Sequence, residues 1–272
     1  MVLTLLCGMT VNAEEKIYKI RINRATNHVD VYGYNEKTGE YTVPIIEFTC
    51  STGKNNATPI AVTQISERDA FHPMKGSVFA QYAVRFNRGC MFHAVPSAEQ
   101  KKDTLKTNYY NKLGEQASSG CVRLTAADSK WIYDNCANGT VVDVYEDAND
   151  MGPFGKPMVP KIPDGHPYAD WDPTDPDPNN PWVNERPVVK LVANATDGTT
   201  LTLPRGTSYE VLYGSIDLFT PEGEVYAADD YALDIYGVYD LNVAGTYLLY
   251  IRGHDLATTL RGDLDVTLVV TD

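Results

Sequence analysis

Ala117-Ser118-Ser119-Gly120-Cys121-Val122-Arg123-Leu124 places one cysteine behind a glycine, beside an arginine and directly ahead of a predicted helix start. A thiol is a useful nucleophile only as thiolate, and a helix N-terminus, a nearby cation or an imidazole lowers its pKa from about 8.5 towards neutrality. All three are on offer, since His93 lies 28 residues upstream. Gly120 tolerates positive φ and close backbone approach. The amides of Gly120 and Cys121 are therefore candidate donors to an oxyanion.

Around this elbow the sequence reads as short strands. Lys16 to Asn23, Val29 to Tyr34, Val43 to Thr49, Ile60 to Ile65, Val78 to Phe86, Met91 to Val95 and Thr140 to Tyr145 alternate in polarity or are rich in β-branched residues. One helix is predicted from about Ala126 to Asn135, with Thr125 as N-cap and Gly139 beyond its end. His93 closes the apolar run Gly89 to His93, which is rigid enough to hold an imidazole. Of the other histidines, His28 reads as part of a polar turn, His72 as a loop residue before Pro73, and His166 and His254 fall outside this region.

The length of 272 residues and the charge distribution predict two domains. Residues 1–149 are net neutral, 150–187 carry −4 and 188–272 carry −9. This acidity argues against a nucleic-acid partner and against tight binding to anionic lipid. Residues 1–13 read as a probable signal-peptide remnant ending at Ala13. No other stretch approaches the roughly 20 apolar residues of a membrane span. Cys50, Cys90, Cys121 and Cys136 are too sparse to form a disulfide framework, and pairing of Cys50 with Cys90 or with Cys136 stays open.

Residues 150–187 hold ten of the sixteen prolines after residue 152, with Asp172-Pro173-Thr174-Asp175-Pro176-Asp177-Pro178 at the centre, and are expected to form a stiff, solvated linker. Beyond it about seven short strands, Tyr209 to Tyr213 among them, predict a second β-sandwich. The expected fold class is therefore mainly β: a first domain over 14–149 with one short helix after the cysteine, and a sandwich over 188–272. Tyr226, Tyr231, Tyr236, Tyr239, Tyr247 and Tyr250 are expected to pack inside that sandwich rather than pave a carbohydrate surface.

Ser118-Ser119-Gly120-Cys121-Val122-Arg123-Leu124, preceded by Phe92-His93-Ala94-Val95-Pro96 and by Ser51-Thr52-Gly53 with Thr58-Pro59, resembles the L,D-transpeptidase catalytic domain, the YkuD family, over about residues 16–146. Two departures are visible: Ser119 stands where many members carry histidine, and Ala61 where glycine is usual. The resemblance implies a peptidoglycan enzyme of a bacterial cell wall or cell surface, of the Gram-positive kind. Cys121 would be the nucleophile and His93 the base, acting on donor and acceptor stem peptides without a cofactor or metal.

By the same resemblance the product is a 3→3 cross-link, or a trimmed stem where water replaces the acceptor. Arg123 would order the elbow or pair with a substrate carboxylate, Ser118 and Ser119 would donate hydrogen bonds near the pair, and Tyr82 would line the acceptor side. The C-terminal half resembles bacterial surface immunoglobulin-like domains through Gly245-Thr246-Tyr247 and His254-Asp255. A binding or adhesive surface protein with an inactive site is the alternative. A zinc site of Cys90, His93 and Cys121 lacks a fourth ligand and the usual close pairs.

Overall fold

Residues 18–272 are described by a computed structural model, so the signal-peptide reading of 1–13 lies outside the described residues. The chain is mainly β, built from several sheets with few helices. Its first half runs β1 (Tyr18–Asn23), β2 (His28–Asn35), β3 (Glu40–Thr49), β4 (Ala61–Gln64), β5 (Glu67–Met74), β6 (Val78–Asn87), β7 (Cys90–Ala94), α1 (Thr107–Tyr110), β8 (Val122–Leu124), α2 (Ala126–Asn135) and β9 (Val141–Tyr145). The second half runs β10 (Val188–Leu191), β11 (Thr200–Pro204), α3 (Tyr209–Tyr213), β12 (Ile216–Phe219), β13 (Tyr231–Tyr236), β14 (Gly245–Asp255) and β15 (Arg261–Thr271).

Two sheets enclose the first core. One has the order β3-β2-β1-β9-β4, the other β5-β6-β7-β8. Strand alternation sends Ile20, Ile22, Val29, Val31, Ile46, Phe48, Val142 and Val144 inward from the first sheet. They meet Val84, Phe86, Phe92, Val122 and Leu124 of the second, with Ile132 and Cys136 from the end of α2. Among the described residues no disulfide forms: Cys50, Cys90, Cys121 and Cys136 are all free thiols.

Three expectations need correction. Tyr209–Tyr213 is a helix rather than a strand, because Ser208 stands at its N-cap, Glu210 occupies the first turn and only Leu212 is buried. Strand β5 was not expected, since Pro73 breaks its pattern. It is tolerated because β5 lies at the edge of its sheet.

The third correction concerns the proline-rich segment, which is packed rather than solvated: Asp172, Thr174, Asp175, Asn180 and Trp182 are buried. Its carboxylates and hydroxyls serve as caps, and its apolar residues Ile162 and Trp182 share a cluster with Val95, Leu105, Tyr110 and Leu113. Oδ2 of Asp172 accepts the Ala126 amide at 2.8 Å and Oγ1 of Thr174 the Ala127 amide at 3.1 Å. Thr125 accepts the Asp128 amide at 3.2 Å, as a cap should. The first turn of α2 is thus closed by side chains.

Strand β14 joins the two halves. Leu249 and Ile251 face the second core, whereas Tyr250 packs with Tyr236 against the first core. The next outward position, Arg252, donates to Asp128 Oδ1 at 2.9 Å, and Arg261 donates to the same oxygen at 3.0 Å. Burial alone would raise the Asp128 carboxyl, but Arg261 and Arg252 hold it below its ordinary 3.8. Removing one partner of such a buried network typically costs about 3–5 kcal/mol, because the remaining charge is stranded.

Asp128→Ala should accordingly lower stability by about 3–5 kcal/mol in denaturant unfolding followed by tryptophan fluorescence. A loss below about 1 kcal/mol would mean that the network is energetically idle. Because the folded carboxyl is depressed, its contribution is present above pH 3.8 and is lost as pH falls through the lower folded value.

Candidate active site

Parallel pairing of β7 with β8 sets Phe92 beside Val122, His93 beside Arg123 and Ala94 beside Leu124. Side chains alternate across such a pair, so Phe92, Val122 and Leu124 enter the core while Met91, His93, Cys121 and Arg123 face outward into one cavity. That cavity encloses about 310 Å³. Cys90 belongs to the core cluster rather than the cavity wall, and burial and then the neighbouring Cys121 raise its thiol to about 11.

The elbow is held from behind by the other residues that carry the resemblance. Ser51 exchanges backbone hydrogen bonds with Arg123 at 2.8 and 2.9 Å. Thr58 Oγ1 accepts the Gly53 amide at 2.8 Å and donates to the Gly120 carbonyl at 2.9 Å. A Cβ on Gly53 would lie 2.6 Å from the Thr58 nitrogen, a distance that only glycine avoids. Gly120 sits at φ +133°, where a side chain would be strained.

His93 is 1% exposed, and its Nδ1 donates to the Ala94 carbonyl at 2.7 Å. That bond fixes the tautomer and leaves Nε2 as the basic lone pair. Burial pushes the imidazole down to about 4, with Arg123 and His72 adding to the shift and the Ala94 bond opposing it. It is therefore neutral at pH 7.

Cys121 differs from its expected state. Burial raises its thiol above the ordinary value, and the Met91 amide, Arg123 and Arg85 offset only part of that. The helix contributes little, because β8 separates Cys121 from α2 and the first amides of α2 are already capped. The resting pair is a neutral thiol and a neutral imidazole.

Ser118 and Ser119 both reach the cavity wall, but their roles diverge. Ser118 is buried; its hydroxyl donates to the Cys121 carbonyl at 2.6 Å and accepts the Gly120 amide at 3.0 Å, closing the turn. The Gly120 amide is therefore committed to Ser118 rather than free for an oxyanion. Ser119 is exposed.

Arg123 donates to the Ala117 carbonyl at 3.2 Å and rests over the Tyr109 ring at 4.6 Å, with its buried Nε lacking a hydrogen-bond partner. Tyr82 does not line the cavity. Its ring packs edge-on against Tyr133 at 5.9 Å, beside α2, from a backbone at φ +52°. His72 is the site residue that the sequence reading missed: it lies on β5, lines the cavity and contacts Asp69 Oδ2 at 3.2 Å. The only signal was the polar edge strand that Pro73 obscures.

The site is thus a cysteine–histidine cavity on the outer face of a β-sheet. Residues 17–144 match the YkuD family, the L,D-transpeptidase catalytic domain. That match covers under half of this chain and is a likeness of its first half to that domain.

The provisionally named L,D-transpeptidase YciB of Bacillus subtilis (strain 168) is 46% identical over 52 residues, which is 19% of this chain and 26% of that protein. An L,D-transpeptidase from Mycobacterium smegmatis is similar at 16% identity and TM-score 0.38, over 47% of this chain and 58% of that one. L,D-transpeptidase 3 from Mycobacterium tuberculosis, solved with a faropenem-derived adduct, aligns at 18% identity and TM-score 0.35, over 48% of this chain and 60% of that one. The match thus spans about a quarter of the curated relative and under two thirds of these solved chains.

The raised thiol has a direct readout. Iodoacetamide labelling of Cys121, scored by peptide mass against Cys121→Ala, should accelerate with pH up to a midpoint above 9.0. A rate already at its plateau by pH 7 would show a resting thiolate and contradict the neutral pair.

Proposed function

We propose that this chain is a peptidoglycan L,D-transpeptidase that forms 3→3 cross-links through a thioester on Cys121. The observation that carries the reading is the placement of Cys121 and His93 on one cavity, with His93 anchored through Nδ1 so that Nε2 is left basic. The donor is a tetrapeptide stem whose diamino acid is joined to a terminal D-alanine. As Sγ of Cys121 forms its bond to the carbonyl carbon, Nε2 of His93 takes the thiol proton. The imidazolium then gives that proton to the departing D-alanine nitrogen as the carbon–nitrogen bond breaks.

An amine of a neighbouring stem attacks the thioester, loses its proton to His93 and returns Cys121 to the thiol. Water in place of the amine gives L,D-carboxypeptidation. Proton transfer accompanies attack because neither partner is charged at rest. With the Gly120 amide committed, the amides of Ser119 and Cys121 are the elbow's candidates to receive the oxyanion. Arg123, fixed on Tyr109 with Nε unpartnered, suits a substrate carboxylate.

Export to a bacterial wall follows from this substrate and from the apolar residues that precede Glu14. Among the described residues no helix is long and apolar enough to cross a membrane. The C-terminal half fits an immunoglobulin-like spacer through its two sheets, β11-β15-β14-β13 and β10-β12, which share one core.

A second reading, a surface binding protein with an inactive site, is favoured only by the committed Gly120 amide and by Ser119. Exposure to a carbapenem followed by intact-mass analysis separates the two. The enzyme should gain an adduct that maps to Cys121 and is absent in Cys121→Ala; an unmodified wild type would favour the binding protein. His93→Gln should slow adduct formation by about 10²–10⁴-fold. The depressed imidazole also sets a pH signature: the acid limb of the acylation rate should fall near 4. A limb at or above 6.5 would assign the base elsewhere.

A further inference from the structure

On the opposite face of the first sheet, away from Cys121, lies a second cluster of chemically capable side chains. His28 and Asp30 share a face of β2, two residues apart, and the register sets Glu47 of β3 directly across from Asp30. All three are 0% exposed. The expectation that His28 lies in a polar turn is therefore wrong: it opens a buried strand. Paired like charges normally destabilise a sheet, and two buried carboxylates facing a single imidazole are costlier still.

Each of the three residues has one atom secured and another left over. Thr26 Oγ1 donates to the Asp150 carbonyl at 3.2 Å, so at its 2.7 Å contact with His28 Nδ1 it accepts. Nδ1 therefore carries a proton, and Nε2 is turned towards the Asp30 carboxylate. Glu47 Oε2 accepts the Phe154 amide at 3.2 Å, leaving Oε1. His28 Nε2 lies 3.3 Å from Asp30 Oδ2, and beyond that contact neither these atoms, nor Asp30 Oδ1, nor Glu47 Oε1 has a hydrogen-bond partner. One donor atom from each residue lies within 4.8 Å of the others.

The groups facing this cluster do not neutralise it. Arg21, opposite Asp30 on β1, rests over Tyr145 at 4.0 Å and reaches Asp150 at 3.8 Å. Tyr145 donates to Asp150 at 2.9 Å, and Tyr32 lies beside Arg21.

We propose that His28 Nε2, Asp30 and Glu47 Oε1 bind a divalent transition-metal ion of the zinc type. One imidazole and two carboxylates match the mixed nitrogen and oxygen donors that zinc accepts, whereas calcium and magnesium favour oxygen alone. Bound through their oxygens, the carboxylates of Asp30 and Glu47 would balance a dication. Fixing a ligating histidine by a hydrogen bond through its other nitrogen is the usual second layer of such sites. The ion would hold β2 and β3 beneath the segment around Gly152 and Phe154, whose ring packs on Tyr236 of the C-terminal half at 5.0 Å. Beyond the His28 contact both Asp30 oxygens lack a hydrogen-bond partner, so Asp30 can fill two of four positions, and the ion's role is structural and separate from Cys121.

The test uses the full chain carrying Cys121→Ala, so that the active-site thiol cannot bind the probe, refolded either with Zn2+ or with EDTA because the cluster is closed to solvent. After dialysis, elemental analysis should find a single equivalent of zinc, and the zinc form should melt at a higher temperature than the EDTA form. Glu47→Gln and Asp30→Asn should lose both the zinc and the melting shift. X-ray absorption of the unsubstituted cluster should show imidazole and oxygen ligands without sulfur, which keeps the test decisive if either variant fails to fold. No retained zinc with identical melting in both preparations, a sulfur ligand, or zinc undiminished in Glu47→Gln would each overturn the proposal.

Discussion

The parallel pairing of β7 with β8 is the constraint on which the rest of the structure depends. It brings together residues 28 positions apart and, because side chains alternate, decides in one step which are core and which are site. Phe92, Val122 and Leu124 anchor both strands in the hydrophobic core, so His93 and Cys121 stand on a rigid floor. A slip of one residue would exchange the two sets. Ser51 and Thr58 guard that register at the cysteine end, where their hydrogen bonds hold Arg123 and Gly120.

Burial, rather than charge, governs the electrostatics of the pair. The cations near Cys121 would favour a thiolate, yet desolvation outweighs them and the same desolvation lowers His93. The two groups are matched as neutral partners at rest, so the proposed acyl transfer would ionise them only as the thiol attacks. The C-terminal half is tied to this domain through Asp128, in the first turn of the helix that follows the cysteine, where it receives Arg252 and Arg261. Stability of the junction and geometry of the elbow thus meet on one helix.

Much of this was legible in the sequence where local pattern and tertiary role agree. Helix α2 and its Thr125 cap appear at their expected places, as do all seven expected strands of the first half, because alternation and capping are local signals. The quoted motifs proved to be one connected scaffold. What could not be read depended on partners distant in sequence. The commitment of the Gly120 amide to Ser118, the direction of the thiol shift and the burial of the Asp/Pro segment all follow from packing. His72 was hidden by Pro73, and Tyr82 was misplaced because its positive φ turns it towards Tyr133.

Product analysis on a defined disaccharide-tetrapeptide bears most directly on the central claim, that Cys121 with His93 performs acyl transfer at the L,D bond. Chromatography with mass spectrometry should reveal a dimer that has lost one D-alanine, with the fragmentation pattern of a link between diamino acids, and neither product should form with Cys121→Ala. Recovery of the tetrapeptide unchanged by the wild-type protein, or equal D-alanine release by Cys121→Ala, would contradict it.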